Sequence, residues 1–245
     1  LLEHLMNFYL EIISATVSYL LGSISFARIV TYISTSGKDI TEHEIAVDGT
    51  DESYKVLSIG ANSVSSLLGA RYGMVVSIFD ILKVFLPTLF FKLSYPEQPG
   101  LYLIAATFGV IGHIWPIYYR FHGGSGFTAI MGGLFVIDPV AIFITSIVGL
   151  FLGMVIFRNM VVATLSWIWL LIPWLWWRTN GSWEHILYSI AINILFILAM
   201  IPEIQNVMTY KEKGKTIEYA MGNLKSNPMG RGMLKMAKFF KVEIK

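Results

Sequence analysis

The sequence predicts an all-α membrane protein with about seven transmembrane helices, one of them short. Of its 245 residues, 55% are apolar and only 14% are charged, whereas soluble domains average about 25% charged residues. The mean hydropathy is +0.64. A chain this apolar buries its hydrophobic surface in lipid, and the distribution of its apolar segments indicates how often it crosses.

Seven apolar segments account for the predicted helices. Six of them reach or approach the length of about 17 to 25 residues that crosses a bilayer. The fourth has eleven residues and covers only about 16 Å at 1.5 Å per residue. The segments are Phe8–Ile33, Gly73–Phe91, Leu101–Tyr119, Phe127–Ile137, Val140–Phe157, Met160–Trp177 and Ile186–Ile201. The first lacks a preceding basic stretch and is too long for a signal peptide, so we expect it to be retained. Residues 1–202 are thus predicted to form one polytopic membrane domain.

The distribution of charge predicts the orientation. Residues 203–245 contain nine basic and four acidic residues, a net charge of +5, and the remainder carries −3. The positive-inside rule places this basic tail in the cytoplasm. If Phe127–Ile137 crosses the membrane, the glycine-rich loop before it and Ser34–Tyr72 are also cytoplasmic, and the N-terminus is outside. If that segment dips in and returns, the loop and everything before it change sides.

A small β-hairpin is predicted as an insertion in the first cytoplasmic loop. His43–Lys55, HEIAVDGTDESYK, has short alternating stretches on both sides of Asp48-Gly49. This dipeptide favours a tight turn.

The basic tail is predicted to contain an amphipathic helix at the membrane surface. One face carries Arg231, Lys235, Lys238 and Lys241, and the other carries Met233, Met236, Ala237 and Phe240. A helix of this kind binds anionic lipid. The alternative is a solvated tail whose periodicity is accidental.

Composition excludes several kinds of chemistry. The sequence has no cysteine, so it has no disulfide, thiolate metal site or thiol nucleophile. It shows no paired carboxylates, no histidine cluster with metal-ligand spacing and no basic-aromatic patch typical of nucleic-acid binding. We therefore expect neither a metal site nor a nucleic-acid partner.

The stretch RFHGGSG, Arg120–Gly126, stands directly before an apolar helix. Free backbone amides beside the positive end of a helix dipole bind phosphate. Arg120, His122 and Ser125 add charge and hydrogen-bonding groups. Glycines also allow membrane helices to approach closely, so a hinge between two helices is the alternative.

Three other polar features lie in or beside the apolar segments. His113 either faces a polar interior or makes a structural hydrogen bond. Asp80 and Lys83 share one helix face, and a structural ion pair is favoured over substrate steering. Ser58–Ser66 is rich in small polar residues, which either cap and pack a helix or bind a ligand.

Taken together, these segments resemble the acyl-phosphate-dependent glycerol-3-phosphate acyltransferases of bacterial membranes. YLLGSISFARIV (Tyr19–Val30) is similar to the family's YLLGSIPF-type helix. IGANSVSSLLGARYG (Ile59–Gly73) resembles its IGATN segment, and FDILKVFLP (Phe79–Pro87) resembles LDxLKGxLP. The strongest resemblance is GHIWPIYYRFHGGSGFTAIMG (Gly112–Gly132), where the family has GHxFPVFLKFKGGKGVATxxG.

The resemblance implies a seven-helix fold in the plasma (inner) membrane with cytoplasmic catalytic loops. It implies acyl transfer from acyl phosphate to glycerol 3-phosphate, or to a related phosphorylated acceptor, to form lysophosphatidic acid for phospholipid biosynthesis, without a metal or other cofactor. The catalytic candidates are then His113, Arg120, His122 and Ser125. The candidates for phosphate binding are Gly123, Gly124, Gly126, Asn62 and Ser63.

Several positions depart from the family pattern. Ser125 stands where the family has the lysine of GGKG, and Ser66 stands where it has an arginine. The family's HRxN motif would fall near Met200–Glu203, which has neither the histidine nor the asparagine. Each phosphate carries a charge of about −1.5 to −2, so lost cations matter. A second hypothesis is therefore a catalytically degenerate member that binds lipid phosphate or serves as a subunit of a membrane complex.

Overall fold

The computed structural model describes residues 2–37, 40, 44–46, 49–55, 58–226 and 228–242. These residues are predominantly helical. The helices are α1 (Leu2–Gly22), α2 (Phe26–Ser34), α3 (Ala61–Leu68), α4 (Ala70–Ser94), α5 (Pro99–Ile114), α6 (Phe127–Ile137), α7 (Pro139–Phe151), α8 (Met160–Trp169), α9 (Leu171–Arg178), α10 (Trp183–Glu212), α11 (Thr216–Ser226) and α12 (Pro228–Phe239). The strands are β1 (Glu44–Ala46) and β2 (Ser53–Lys55), and α7 continues into a π-helical turn, Leu152–Ile156.

The predicted membrane fold is confirmed. In the described part of the chain, five helical stretches are long and apolar enough to cross a bilayer, and α6 is a shorter apolar helix, as expected. The five are Leu5–Ser34, Ala70–Ser94, Pro99–Tyr119, Pro139–Ile156 and Trp183–Glu212. The last of them continues through Pro202, where the sequence predicted the membrane domain to end.

The predicted span Met160–Trp177 differs from expectation because it is divided at Leu170 into α8 and α9. Pro173 gives the physical reason. It has no amide hydrogen to donate to the carbonyl of Trp169 four residues earlier, and the helix breaks there. The first span is also interrupted, since α1 ends before Ser23–Ser25 and α2 begins after it.

α5 lies at the centre of the bundle and packs against α1, α4, α6 and α10. Its contact with α1 depends on small residues. A Cβ atom built on Gly22 would lie 2.2 Å from the carbonyl oxygen of Gly109, and one on Gly112 would lie 2.3 Å from that of Tyr19. The two backbones therefore touch, as they do where small residues line membrane-helix contacts.

The predicted hairpin is present. β1 and β2 pair in antiparallel fashion, with Ile45 opposite Tyr54. Its connection is longer than the expected two-residue turn, because the strands end at Ala46 and resume at Ser53. Gly49 takes a left-handed φ of 71° within it, and His43 and Asp48 lie outside the described residues.

The hairpin packs on the C-terminal tail. The ring of Tyr54 contacts Tyr210 at the end of α10 and Tyr219 in α11, with centroid distances of 6.2 and 4.6 Å. Glu52 accepts a hydrogen bond from Lys215 at 2.6 Å, which holds the pKa of this carboxyl below its usual range. Burial raises the pKa of Tyr219. These contacts place the hairpin and the tail on one side of the bundle.

We predict that Gly112→Ala destabilises the protein while Gly100→Ala does not. Both glycines are in α5, but a Cβ at Gly100 meets nothing within 4 Å, whereas one at Gly112 meets the α1 backbone. Overpacking of this kind costs about 1–3 kcal/mol. Thermal unfolding in detergent should show a lower midpoint for Gly112→Ala only. Equal midpoints for the two variants would contradict the close approach of α1 and α5.

Candidate functional site

The glycine-rich loop folds back on the end of α5. After the 3-10 turn Ile117–Tyr119, Arg120 and Phe121 take left-handed backbone angles, with φ of 52° and 62°. The chain then returns, and the amide of Gly124 donates to the carbonyl of His113 at 3.1 Å. The loop is therefore closed by a backbone hydrogen bond before α6 begins.

The two adjacent glycines of this loop are required by packing. A Cβ atom on Gly123 would lie 2.1 Å from the carbonyl oxygen of His113, and one on Gly124 would lie 2.3 Å from Nε2 of the same histidine. The carbonyl oxygen of Ile59 would be a further 3.1 Å contact of that second Cβ. No side chain fits at either position without displacing backbone or the buried ring.

A second segment, the start of α3, reaches the same place. The amide of Ile59 donates to the carbonyl of Gly123 at 2.9 Å. Gly60 caps α3, and its amide donates to Oγ of Ser63 at 2.9 Å. Because α6 begins directly after Gly126, the amino ends of α3 and α6 flank the paired glycines. Helix amino ends carry unpaired amides and a positive dipole charge, and these attract anions.

Three buried ionisable side chains support the loop from inside the bundle. Lys83 Nζ lies 2.9 Å from Oδ1 of Asp80 and donates to the carbonyl of Ile24 at 2.7 Å. The ion pair expected from their spacing is thus observed, and it also holds the break between α1 and α2. His113 Nδ1 lies 3.6 Å from the same Asp80 oxygen, so the ring is fixed between the ion pair and the glycine loop.

A small crevice, too narrow to hold a water molecule, lies beside these side chains. It lies between the α1–α2 break, the segment before α3 and the end of α5. Its lining residues are Gly22, Ser23, Ile24, Ser25, Ile59, Asp80, Lys83, His113 and Pro116. Its lining includes Ile59 and His113, the two residues whose backbones bond to the paired glycines.

The predicted site residues differ in how much of their surface is exposed to solvent. His113 and Ser63 are buried, with 6% and 5% of their surface exposed. Asn62, Arg120 and His122 are exposed at the surface. The backbone of the predicted phosphate loops is thus brought together by direct hydrogen bonds, while these three polar side chains stand on its outer side. Ser125, where the family pattern has lysine, is half-buried.

Arg28 is a candidate that the sequence reasoning missed. Its Nη2 donates to the carbonyl of His122 at 3.2 Å, and its guanidinium carbon lies 4.9 Å from the ring centroid of Tyr119. The signal was available, because only Glu11 and Arg28 interrupt the apolar run Phe8–Ile33. A charge in such a run often serves function.

The chemistry available here is that of anion binding. Within the described residues, no three His, Asp or Glu side chains are grouped to hold a metal ion. The site instead offers backbone amides, two helix amino ends and the cations Arg28 and Arg120. Such groups bind phosphate and stabilise negative charge that develops on a leaving group.

Comparison with known proteins also points to a site that handles a phosphorylated molecule. The family model described as glycerol-3-phosphate acyltransferase matches residues 12–210. The glycerol-3-phosphate acyltransferase of Desulfotalea psychrophila is 31% identical over 155 residues, covering 62% of this chain and 71% of the relative. That of Mycoplasma mycoides subsp. mycoides is 33% identical over 176 residues, covering 69% of this chain and 63% of the relative.

A solved structure shares the fold. The crystal structure of PlsY (YgiH), an integral membrane glycerol 3-phosphate acyltransferase in its glycerol 3-phosphate form, matches with a TM-score of 0.62 at 23% identity. The match covers 81% of this chain and 92% of that one. Since the family model covers well over half of the sequence, including both segments that meet at the paired glycines, this chain belongs to the glycerol-3-phosphate acyltransferase family.

Proposed function

We propose that this chain moves an acyl group from acyl phosphate to the 1-hydroxyl of glycerol 3-phosphate, or of a related phosphorylated acceptor. The hydroxyl oxygen bonds to the acyl carbon, and the bond from that carbon to the phosphate oxygen breaks. The phosphate leaves with the electron pair and takes up the hydroxyl proton. The products are lysophosphatidic acid, a phospholipid precursor, and inorganic phosphate. The observation that carries this proposal is the hydrogen bond from Ile59 to Gly123, which joins two anion-binding segments.

The two substrates each carry a phosphate, and the site has two helix amino ends to receive them. α3 begins after Gly60 and α6 begins after Gly126. Amides at such ends hold phosphate without a resident metal. Asn62, next to the first of these ends, supplies an exposed side-chain amide. Binding both phosphates around the paired glycines would bring the acceptor hydroxyl close to the acyl carbon.

The two cations, Arg120 and Arg28, have different roles. Arg120 is exposed beside the loop and is free to contact substrate phosphate. Arg28 donates to the carbonyl of His122 and thereby holds the loop. Charge that grows on the departing phosphate is stabilised by cations placed in advance. His122 and Ser125 supply hydrogen-bonding groups at the same surface.

His113 acts as a positioning residue in this scheme. Its carbonyl accepts the Gly124 amide, and its ring fills the space where a side chain at Gly124 would stand. A ring buried to this degree contacts protein on its faces. It therefore shapes the phosphate loop, while the exposed groups contact the substrate.

We place the site and the tail in the cytoplasm, the N-terminus outside, and the protein in the plasma (inner) membrane. The +5 charge of residues 203–245 supports a cytoplasmic tail. The packing of Tyr54 on Tyr219 supports a true crossing by α6. With α8 and α9 together counted as one crossing, a return of α6 to its own side would put the hairpin and the tail on opposite faces of the membrane, where they could not touch.

A catalytically degenerate member is the second candidate. It would bind lipid phosphate or act as a subunit of a membrane complex. The observation in its favour is Ser125, which cannot supply the positive charge of the family's lysine.

We predict that the purified protein forms labelled lysophosphatidic acid from acyl phosphate and labelled glycerol 3-phosphate, and that Arg120→Ala lowers kcat/KM about tenfold to a hundredfold. Loss of a hydrogen bond to a charged group costs about 1.5–3 kcal/mol. Lys211→Ala, which removes an exposed cation on α10, is the control and should retain activity. If the wild type forms no product and Ser125→Lys does, the degenerate role is the correct one.

We predict that Gly124→Ala abolishes turnover while the protein remains folded. The added methyl group would displace the His113 ring and separate the loop from Ile59. Activity should fall at least a hundredfold, whereas Gly100→Ala in α5 should behave as the wild type. Thermal unfolding and size-exclusion chromatography would show whether the variant is intact. A folded Gly124→Ala protein with normal kcat and KM would exclude this loop from the site.

We predict different effects of two substitutions at Arg28. Arg28→Lys keeps the positive charge that attracts phosphate but loses the planar guanidinium that holds the loop. We therefore expect kcat to fall about tenfold while KM stays nearly unchanged. Arg28→Ala should also raise KM. Arg178→Lys, near the opposite end of α6, serves as the matched control. A normal kcat for Arg28→Lys would remove Arg28 from the positioning of the loop.

A further inference from the structure

The last two helices of the chain lie beyond the part that matches the family. The family model ends at residue 210, whereas α11 and α12 span Thr216–Ser226 and Pro228–Phe239. α12 does not leave the bundle. Ala237 and Val242 are buried in a cluster with Met154 and Ala163. This contact fixes α12 against the middle of the π-helical turn and the first part of α8.

That position lies at the edge of the membrane-spanning surface. The turn between α7 and α8 leaves Ile156 and Phe157 exposed by 57% and 62%. Ile156 is the last residue of the apolar span Pro139–Ile156, and Phe157 directly follows it. α12 is thus attached where the lipid-facing surface of the bundle gives way to the surrounding polar region.

One face of α12 carries cations. Arg231, Lys235 and Lys238 are exposed, and their spacing of four and three residues places them along one stripe of the helix. Lys241, just after the helix, is also exposed. From Pro228 to Val242 the sequence has these four basic residues and no acidic one.

Apolar side chains are exposed next to that stripe, two of them on α12 and one directly after it. Phe239 is 80% exposed, and Met236 and Phe240 are 36% and 39% exposed. Exposed aromatic rings beside a basic stripe are unfavourable in water. They match a bilayer surface, where rings enter the headgroup region and cations meet lipid phosphates.

We propose that α12 is a docking element for anionic lipid, held parallel to the membrane surface by its contact with Met154 and Ala163. Phe239 enters the headgroup region, and Arg231, Lys235 and Lys238 bind the phosphates of anionic lipids. Each basic residue near such a surface raises affinity about fivefold. The proposal is independent of whether the chain turns over substrate.

The absence of cysteine makes the test direct. The cysteine of a Phe239→Cys variant is labelled with a polarity-sensitive fluorophore, which takes the place of the ring. The full chain is then reconstituted in nanodiscs. We expect blue-shifted emission in discs of mixed phosphatidylcholine and phosphatidylglycerol compared with phosphatidylcholine alone. High salt should reverse the shift. A label at Glu212→Cys, at the exposed end of α10, should not respond.

Charge-reversal variants complete the experiment. Lys235→Glu with Lys238→Glu should abolish the shift, whereas Lys211→Glu on α10 should retain it. Inorganic phosphate added to neutral discs should leave the emission unchanged, because the label reports entry into lipid. Equal emission in neutral and anionic discs would overturn the proposal, as would a shift that survives the double reversal in a protein with normal thermal unfolding. Those results would indicate a solvated helix or a protein partner.

Discussion

The site depends on the contact between Gly124 and His113. The amide of the glycine is bonded to the carbonyl of the histidine, and the absent side chain of the glycine is replaced by the histidine ring. Because Ile59 bonds to the neighbouring Gly123, the same contact fixes the start of α3. The amino ends of α3 and α6, which are far apart in sequence, are thereby held at one place.

The buried polar residues explain how an exposed loop keeps one geometry. Asp80 and Lys83 form an ion pair inside the bundle, and Lys83 also binds the carbonyl of Ile24, where α1 and α2 separate. A buried pair of this kind adds little net stability, but separating its partners leaves an uncompensated buried charge and is strongly unfavourable. Here the pair connects three helices to His113, whose carbonyl and ring hold the loop, so the loop amides have a rigid base.

The sequence allowed the local features to be predicted. Long apolar runs marked the spans, alternation marked the hairpin, and three-residue spacing marked the pair Asp80–Lys83. It did not reveal features that depend on contacts between distant segments. The bond from Arg28 to His122 and the packing of Tyr54 on Tyr219 follow from how helices assemble, which hydropathy does not encode. Pro173 is a helix breaker that the prediction of Met160–Trp177 as one span did not take into account.

The packing of the hairpin on the tail has a consequence for the order in which the protein is made. Tyr54 shortly precedes α3 along the chain, yet its partners Tyr210 and Tyr219 lie at the end of the last span and in α11. During synthesis, membrane helices form as they emerge, but this contact waits until α11, which follows the last span, has left the ribosome. The packing of the hairpin on the tail, which lies next to the segment that begins at Ser58, thus forms last. In a nascent chain, the membrane spans are therefore inserted before the candidate site is complete.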